Sequence, residues 1–368
     1  LSSFATLVRA ALTCRAWRRA VASSPDFQRR FRALHPAPPL LGFFIDSCNN
    51  GPDALYRPHC VPSFVPGGFR AWDLAGAVRG GDFFLTSLLE RSTKSSDPYW
   101  EILDCRGGRI LLANAHDEDN PLAVQYQIIT RFICQDEEPL SSFRVVLLAY
   151  SGCTLQPSVY SSDTGGWSAL PEVDFPARSA DGTLPGESGE KIWILQQQKM
   201  HANGFVYWIY IWRGETGSMD GMIAEFQFQG GETEDGAACI VYSYSDGSNK
   251  FGVVKHSRGD DGVDRWVLDR VLRLELEGEL ERLYLGTPYC PHKLSVLAVR
   301  DGYVYFATSE MLHDPERPCW FMSLCLATME VEKMFERRYD GDADAFFMPW
   351  PPCLLASNCG QFALEDAP

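Results

Sequence analysis

The sequence predicts a mainly β protein with a small α-helical unit at its N-terminus. Two observations support this fold class. Residues 4–34 place apolar side chains at helical spacing, whereas the remaining chain consists of short apolar or alternating runs separated by Gly, Pro, Asn and Asp. The composition agrees, because 22 Phe, 14 Tyr and 10 Trp together with 31 Gly and 23 Pro are typical of a β protein rich in turns.

Charge separates the same two parts of the chain. Residues 1–35 contain seven arginines and a single acidic residue, so they carry a net charge of +6. Since the whole chain carries −15, the rest must carry −21. A small cationic unit on a large anionic body indicates two units with different roles, and the acidic balance argues against general binding of nucleic acid.

Several classes of protein are disfavoured by the sequence. No window approaches the roughly 20 uninterrupted apolar residues that a membrane-spanning helix needs, so no membrane partner is expected, and no secretory leader is visible. The 12 cysteines include no CxxC pair, and there is no glycosylation sequon. Most of the thiols lie in apolar runs and are expected to be packing groups. A reducing compartment, the cytosol or the nucleus, is therefore predicted.

The N-terminal unit is predicted to contain short helices over residues 1–35. Ser3 is a plausible N-cap before a first apolar face. That face consists of Leu7, Val8, Ala11 and Leu12. A second apolar stripe is expected to consist of Trp17, Ala20 and Val21, with Arg15, Arg18 and Arg19 turned away from it. A last helix is expected to bury Phe27, Phe31 and Leu34. A Pro-rich linker at residues 36–39 closes the unit. Because so short a unit buries little surface alone, it must dock on the body, on upstream residues or on a partner.

These residues carry a resemblance to a known family. The segment RAALTCRAWRRAVASSPDFQRRFRALHPAPPLLGFF, with its Leu7–Leu12 helix, its Cys14–Arg18 core and the turn from Pro25 to Phe27, resembles the second half of a plant F-box. The layout is similar to that of grass F-box proteins with a long C-terminal β region. The opening Leu-Pro and the first leucine-rich helix of the motif are absent, so the F-box is expected to be truncated in front of Leu1.

The resemblance implies a function and a partner. F-box helices dock on the Skp adaptor of an SCF ubiquitin ligase and, through that adaptor, on a cullin. The apolar residues that match the motif, Leu7, Val8, Leu12 and Trp17, are the candidates for this contact. Alternatively, some of them, Trp17 above all, hold together the small core of the F-box itself.

The body, residues 40–368, shows a repeated hairpin phrase. The phrases CRGGRILLA (105–113), HANGFVYWI (201–209) and VRDGYVYFA (299–307) each place a turn pair before an apolar strand, and their second glycines are 96 and 98 residues apart. Trp167 and Trp266, each following an Asp/Gly turn, are 99 residues apart. Half of this interval suits one four-stranded blade of a kelch-type propeller. The body is therefore predicted to be a kelch-like β-propeller of six or seven degenerate blades, with a β-sandwich or another β architecture as the alternative.

No motif of the chain predicts an enzyme. It contains no GxSxG, Walker A, GxGxxG or HExxH sequence, and its seven histidines show no pair at metal-ligand spacing. No cofactor or metal is therefore expected. The preferred hypothesis is a non-catalytic adaptor whose β region binds an unknown target protein. A kelch-like interaction scaffold or ligand-binding module without a role in ubiquitin ligation is the alternative, and a propeller enzyme ranks last.

Overall fold

The computed structural model describes twenty ranges of the chain. They are residues 4–34, 40–45, 62–67, 83 and 85, 100–114, 127–133, 142–151, 154–174, 192–194, 200–202, 205–207, 210–212, 228–232, 237–243, 250–258, 264–274, 292–310, 319–337 and 343–347. The predicted linker at residues 36–39 lies outside them.

Three short helices precede all the strands within the described ranges. The helices are α1 (Phe4–Leu12), α2 (Arg15–Ser23) and α3 (Pro25–Leu34). The strands are β1 (Leu40–Ile45), β2 (Ser63–Pro66), β3 (Trp100–Arg106), β4 (Arg109–Asn114), β5 (Gln127–Phe132), β6 (Arg144–Ser151), β7 (Thr154–Ser161), β8 (Gly166–Ala169), β9 (Val173–Asp174), β10 (Ile192–Ile194), β11 (Met200–Ala202), β12 (Phe205–Tyr207), β13 (Tyr210–Trp212), β14 (Phe228–Glu232), β15 (Ala238–Ser243), β16 (Lys250–Arg258), β17 (Asp264–Arg273), β18 (His292–Arg300), β19 (Tyr303–Glu310), β20 (Cys319–Cys325), β21 (Val331–Arg337) and β22 (Ala343–Phe347). The predicted mainly β class is confirmed.

The chain divides into two compact units. The first comprises residues 1–117, 134–143 and 341–368, and the second comprises residues 118–133 and 144–340. The helices therefore belong to the same unit as β1 and β22.

In the first unit, the beginning and the end of the β region share one sheet. Strand β1 lies between β2 and β22 and is antiparallel to both. Four phenylalanines, Phe44, Phe64, Phe83 and Phe346, form its core, with ring centroids 4.8 to 5.7 Å apart for four of their pairs. A Cβ atom at Gly42 would collide with the carbonyl oxygen of Val65, so only glycine lets β2 approach β1 this closely.

In the second unit, the strands form antiparallel sheets built from sequence neighbours. The orders are β5-β6-β7-β8 with β9 also on β7, β10-β13, β11-β12, β14-β15-β16-β17 and β18-β19-β20-β21. The largest core joins the last two of these sheets, and in it the fully buried rings of Phe251 and Phe306 meet edge to face at 5.2 Å. Alternating apolar residues on each strand supply this core, as the period of a strand requires.

The repeated hairpin phrases have the predicted structure where it is described. Gly107 and Gly108, with φ of 57° and 74°, join β3 to β4, and Asp301 and Gly302, with φ of 50° and 78°, join β18 to β19. Two consecutive positive φ angles match the right-handed twist of the strands that such a turn connects. Strands β11 and β12 pair across the phrase HANGFVYWI, whose turn residues Asn203 and Gly204 lie outside the described ranges.

Candidate functional site

Helix α1 packs by one narrow face. Leu7 and Val8 are 0% exposed and Ala11 is 1% exposed, whereas Arg9 lies on the solvent side. The helix ends at Leu12, and Thr13 closes it by donating from its N–H (3.3 Å) and its hydroxyl (2.7 Å) to the carbonyl of Ala10. Leu7, Val8 and Ala11 therefore form the inward face of α1.

Helix α2 turns a different face inward from the one that the spacing predicts. Val21 and Arg18 are buried, whereas Trp17 is 51% exposed and Ala20 is exposed as well. Successive residues of a helix lie about 100° apart around its axis, so burying Arg18 rotates Trp17 toward solvent. The expected stripe is therefore confirmed for Val21 and wrong for Trp17, Ala20 and Arg18.

Helix α3 begins with a capped turn. The Ser24 hydroxyl accepts a hydrogen bond from the N–H of Phe27 at 3.3 Å, and Pro25 occupies the first helical position, where its missing N–H costs nothing. Phe31 is buried, with its ring centroid 6.1 Å from that of Phe27. Leu34 is 77% exposed, so the expected buried edge ends at Phe31.

The predicted docking residues do not share one environment. Leu7 and Val8 lie inside, Trp17 lies on the surface, and the side chain of Leu12 is outside the described residues. Arg9 on α1 is exposed, and so is Arg19 on α2, the helix that contains Trp17. A partner can reach Trp17 without any rearrangement, whereas Leu7 and Val8 would first have to leave the interior.

Cys14 links α1 to α2 and is exposed. It occupies the N-cap of α2 with an extended backbone, at φ −149° and ψ 127°. The backbone N–H groups of Trp17 and Ala16 lower the pKa of its thiol, although the sulfur makes no capping hydrogen bond of ordinary geometry. A thiolate is favoured there because the N–H groups of the first helical turn point toward it.

We expect Cys14 to be alkylated by iodoacetamide with a lower pH midpoint in the folded protein than in the urea-unfolded protein, because the thiolate is the reacting species and the folded structure lowers the pKa of this thiol. Peptide mass mapping after brief labelling at several pH values measures both midpoints. Cys239, which is 0% exposed, serves as the control and should stay unlabelled in the folded protein. A Cys14 midpoint in the folded protein equal to or above that of the unfolded protein would contradict the prediction.

A second group of polar side chains lies at two turns of the β18–β21 sheet, around Asp301 and around Cys325. The sequence did not predict this group. Burial raises the pKa of Cys325, but hydrogen bonds from Thr328, from the N–H of Ala327 and from Tyr303 outweigh it, so the net pKa is lowered. Burial also raises the pKa of Asp301, despite the Arg300 Nε at 3.3 Å from its Oδ2. Asp301 lies in the turn between β18 and β19, and Cys325 lies at the end of β20 before the turn to β21.

The two marker tryptophans occupy equivalent places. Trp167 on β8 and Trp266 on β17 each lie on the last strand of an antiparallel ladder and are 54% and 40% exposed. Each packs its ring on its cross-strand neighbour, Tyr160 at 5.5 Å and His256 at 5.0 Å. The 99-residue interval therefore corresponds to a repeated position in the sheets.

Among the described residues, no group of three or more His, Cys, Asp and Glu side chains is placed to hold a metal ion. Within the same ranges, no helix combines the length and the apolar character needed to cross a membrane.

Comparison with known proteins yields neither a matching family model nor a matching curated protein. Among solved structures, an exo-β-1,3-galactanase from Clostridium thermocellum is 9% identical, with 64% of this chain and 45% of that chain covered and a TM-score of 0.23. Prolyl oligopeptidase B from Galerina marginata is 12% identical, with 83% and 47% covered and a TM-score of 0.24. This chain thus spans less than half of either protein, and scores this low do not indicate a shared fold.

Proposed function

We propose that this chain is the substrate-recognition subunit of an SCF-type ubiquitin ligase. In this proposal α1 to α3 are the second part of an F-box that docks on the Skp adaptor, and the β region binds a target protein. The chain itself carries out no chemistry. It acts by proximity, because a tethered target has a high effective concentration at the recruited conjugating enzyme. Both compartments consistent with the cysteine usage, cytosol and nucleus, suit this role.

The observation that carries the proposal is Trp17 in the Cys14–Arg18 segment. That segment supplies the resemblance to the F-box, and its tryptophan is 51% exposed. Tryptophan is the residue type most enriched among those that dominate the energy of protein–protein interfaces, since it buries a large apolar surface with few rotatable bonds. A half-exposed tryptophan is suited to an apolar pocket on a partner.

The sheets support a kelch-like propeller as the form of the β region. Two consecutive four-stranded antiparallel sheets, β14–β17 and β18–β21, each join strands that are neighbours in sequence. Pairing of β1 with β22 ties the start of the β region to its end, as closure of a ring of blades requires. Six or seven blades fit the length of residues 40–368.

The test is a pull-down of the full-length protein on an immobilised Skp adaptor. We expect retention of the wild-type protein and loss of about tenfold or more in affinity for Trp17→Ala. Trp167→Ala is the matched control, because it removes an equally exposed tryptophan from β8 and should bind like the wild type. Circular dichroism of the variants separates lost binding from lost folding. Failure of the wild-type protein to bind the adaptor would refute the proposal.

Burial of Leu7 and Val8 favours a second candidate function, a kelch-like interaction scaffold or ligand-binding module whose helices are only a structural cap. Two fully buried residues in α1 are what a cap requires. This candidate predicts that Trp17→Ala leaves every partner bound. It takes the place of the ligase proposal if the wild-type protein does not retain the adaptor.

A further inference from the structure

Strand β8 is the last strand in the order of the β5–β8 sheet, and it forms an exposed edge. It pairs with β7, and β9 pairs with β7 further along, so residues 166–174 follow the outer side of β7. Every residue from Trp167 to Val173 is exposed. The edge of a sheet is a template for another chain wherever its outward backbone groups have no partner.

The backbone groups of β8 alternate between β7 and the outer side. The N–H of Leu170 donates to the carbonyl of Pro157 at 2.9 Å, so the backbone groups of Leu170 and of Ser168 face β7. Those of Trp167 and Ala169 therefore point outward. Within the described part of the chain, no hydrogen bond reaches these outward groups, and a strand from another chain can pair with them.

Large apolar side chains line this edge. Leu170 and Val173 are 49% and 53% exposed and lie on the face of Leu155, which packs against the core of the sheet. We call Leu170 and Val173 the apolar strip. Trp167 lies on the other face, 54% exposed, with its ring centroid 5.5 Å from that of Tyr160.

The edge is short, so backbone pairing alone binds a second chain weakly. Strand β8 has four residues, and Pro171 behind it has no N–H to donate. Proteins protect their edges against indiscriminate pairing in this way. A chain that docks here must also gain from side-chain contacts, and the exposed apolar strip supplies them.

Acidic residues surround the edge and outnumber the bases. Residues 127–174, which include the whole β5–β9 sheet and its connecting segments, contain six acids and two bases. Of these bases, Arg131 is buried and Arg144 is exposed on β6. The segments on either side, 115–126 and 175–191, are acidic as well, with net charges of −3 and −1. This uncompensated negative charge selects for a basic partner.

One carboxylate lies in the edge itself. Glu172 is exposed and stands between Leu170 and Val173 in the chain. Among the described residues it has no ionic partner. An exposed indole also attracts a cation to its face, so Trp167 and Glu172 both favour Lys or Arg on the docking chain.

We infer that the β8 edge and the apolar strip bind a basic, extended peptide segment of a partner protein. The segment pairs with the outward backbone groups of Trp167 and Ala169, and its apolar side chains contact Leu170 and Val173. Its Lys or Arg side chains alternate with the apolar ones and lie on the face of Trp167 and near Glu172. The inference rests on the proposed function only in that the segment would belong to the target, and it concerns a different surface from Trp17.

The N-terminal unit of a second copy fits this edge less well than an extended segment. Residues 1–35 are basic, with a net charge of +6, but their described part forms three helices. The backbone groups inside a helix bond to one another and cannot pair with the edge of a sheet. Nucleic acid is disfavoured as well, since an acidic surface repels a phosphate backbone.

The experiment uses the full-length protein and a library of fluorescein-labelled, end-blocked peptides of about eight residues in which Lys or Arg alternates with Val, Leu or Ile. We expect members of the library to bind by fluorescence anisotropy, and binding to weaken as salt is raised from about 0.05 M to about 0.5 M. A block peptide of the same composition, with its bases together at one end, should bind at least about tenfold more weakly, because it cannot present two different faces. N-methylation of alternate residues should abolish binding in one of the two possible phases, because only one edge of an added strand is paired.

Variants locate the site. Leu170→Asn is expected to lose about tenfold or more in affinity, and Glu172→Lys about threefold or more. Leu268→Asn, at a leucine on β17 that is 52% exposed, is the matched control for the first variant. Glu332→Lys, at an exposed glutamate on β21, makes the same change of charge as the second. Both controls should bind like the wild type, and thermal unfolding checks that each variant is folded.

The inference is overturned if no alternating basic peptide binds, if the block peptide binds as well, or if the controls weaken binding as much as their counterparts. It is also overturned if Leu170→Asn changes only the self-association of the protein in sedimentation, since the occupant is then a second copy of the chain. The adaptor pull-down is read separately: peptide binding without adaptor binding refutes the proposed function and leaves the β8 site standing, and the reverse result refutes only the site.

Discussion

Truncation of Phe306 to alanine is expected to lower the free energy of unfolding by about 3–5 kcal/mol. Phe306 is 0% exposed, lies in the core shared by the β14–β17 and β18–β21 sheets, and meets Phe251 edge to face at 5.2 Å. The variant loses the transfer free energy of the ring and leaves a cavity. Strands that pair on both sides of β19 cannot collapse into that cavity without breaking their ladders.

Urea unfolding followed by tryptophan fluorescence measures this loss as a lower midpoint at unchanged slope. The control is Trp167→Ala, which removes a larger ring from an exposed site and should cost about 1 kcal/mol or less. Equal midpoints for Phe306→Ala and the wild-type protein would show that this core does not hold the two sheets together.

Substitution of Gly231 by alanine is expected to destabilise the protein by about 2–3 kcal/mol, although it adds a single methyl group. A Cβ atom at Gly231 would collide with the carbonyl oxygen of Val299 and with the rest of its carbonyl group. Gly231 lies on β14 and Val299 on β18, so the backbones of two sheets meet here. The backbone of Val299 cannot rotate away from the added methyl group as a flexible side chain could. The clash can therefore be relieved only if β18 moves.

Gly166→Ala provides the matched control for this prediction. Its Cβ would meet no atom within 4 Å, and its backbone conformation is open to any residue. Thermal melting of both variants should therefore show a large decrease for Gly231→Ala and little or none for Gly166→Ala. A similar melting temperature for the two would mean that the close approach of β14 and β18 is not needed for stability.

Local features of the β region could be predicted from sequence because they depend on residues close together in the chain. The pairs Gly107-Gly108 and Asp301-Gly302 predict hairpins, and both turns have the positive φ angles that this requires. Strand β1 was likewise visible as the apolar run LLGFFI, which matches its bounds from Leu40 to Ile45. The interval between Trp167 and Trp266 also has a structural counterpart, because each tryptophan lies on the last strand in the order of its sheet.

The candidate site was harder to predict. Spacing on α2 permits either Trp17 or Arg18 to accompany Val21 on the inner face, and hydrophobicity favours Trp17. The structure buries Arg18 and exposes Trp17. Helical periodicity defines which residues share a face but not which face a neighbour covers.

The register of β17 was hidden for a related reason. Alternation along DRWVLDRVLR identifies a strand poorly, because the bulge at Asp269 shifts the pattern by one residue. Only the pairing with β16 reveals that Leu268 and Val271 share a face.

The sequence by itself determined the mainly β class, the N-terminal helices and the hairpin turns. Each of these follows from backbone preferences and side-chain period within a few residues of chain. The tertiary structure decided which apolar residues became core, which became surface, and where β1 met β22 about 300 residues later. Those outcomes depend on contacts between segments far apart in sequence, and the free energy of such contacts is not encoded in any local pattern.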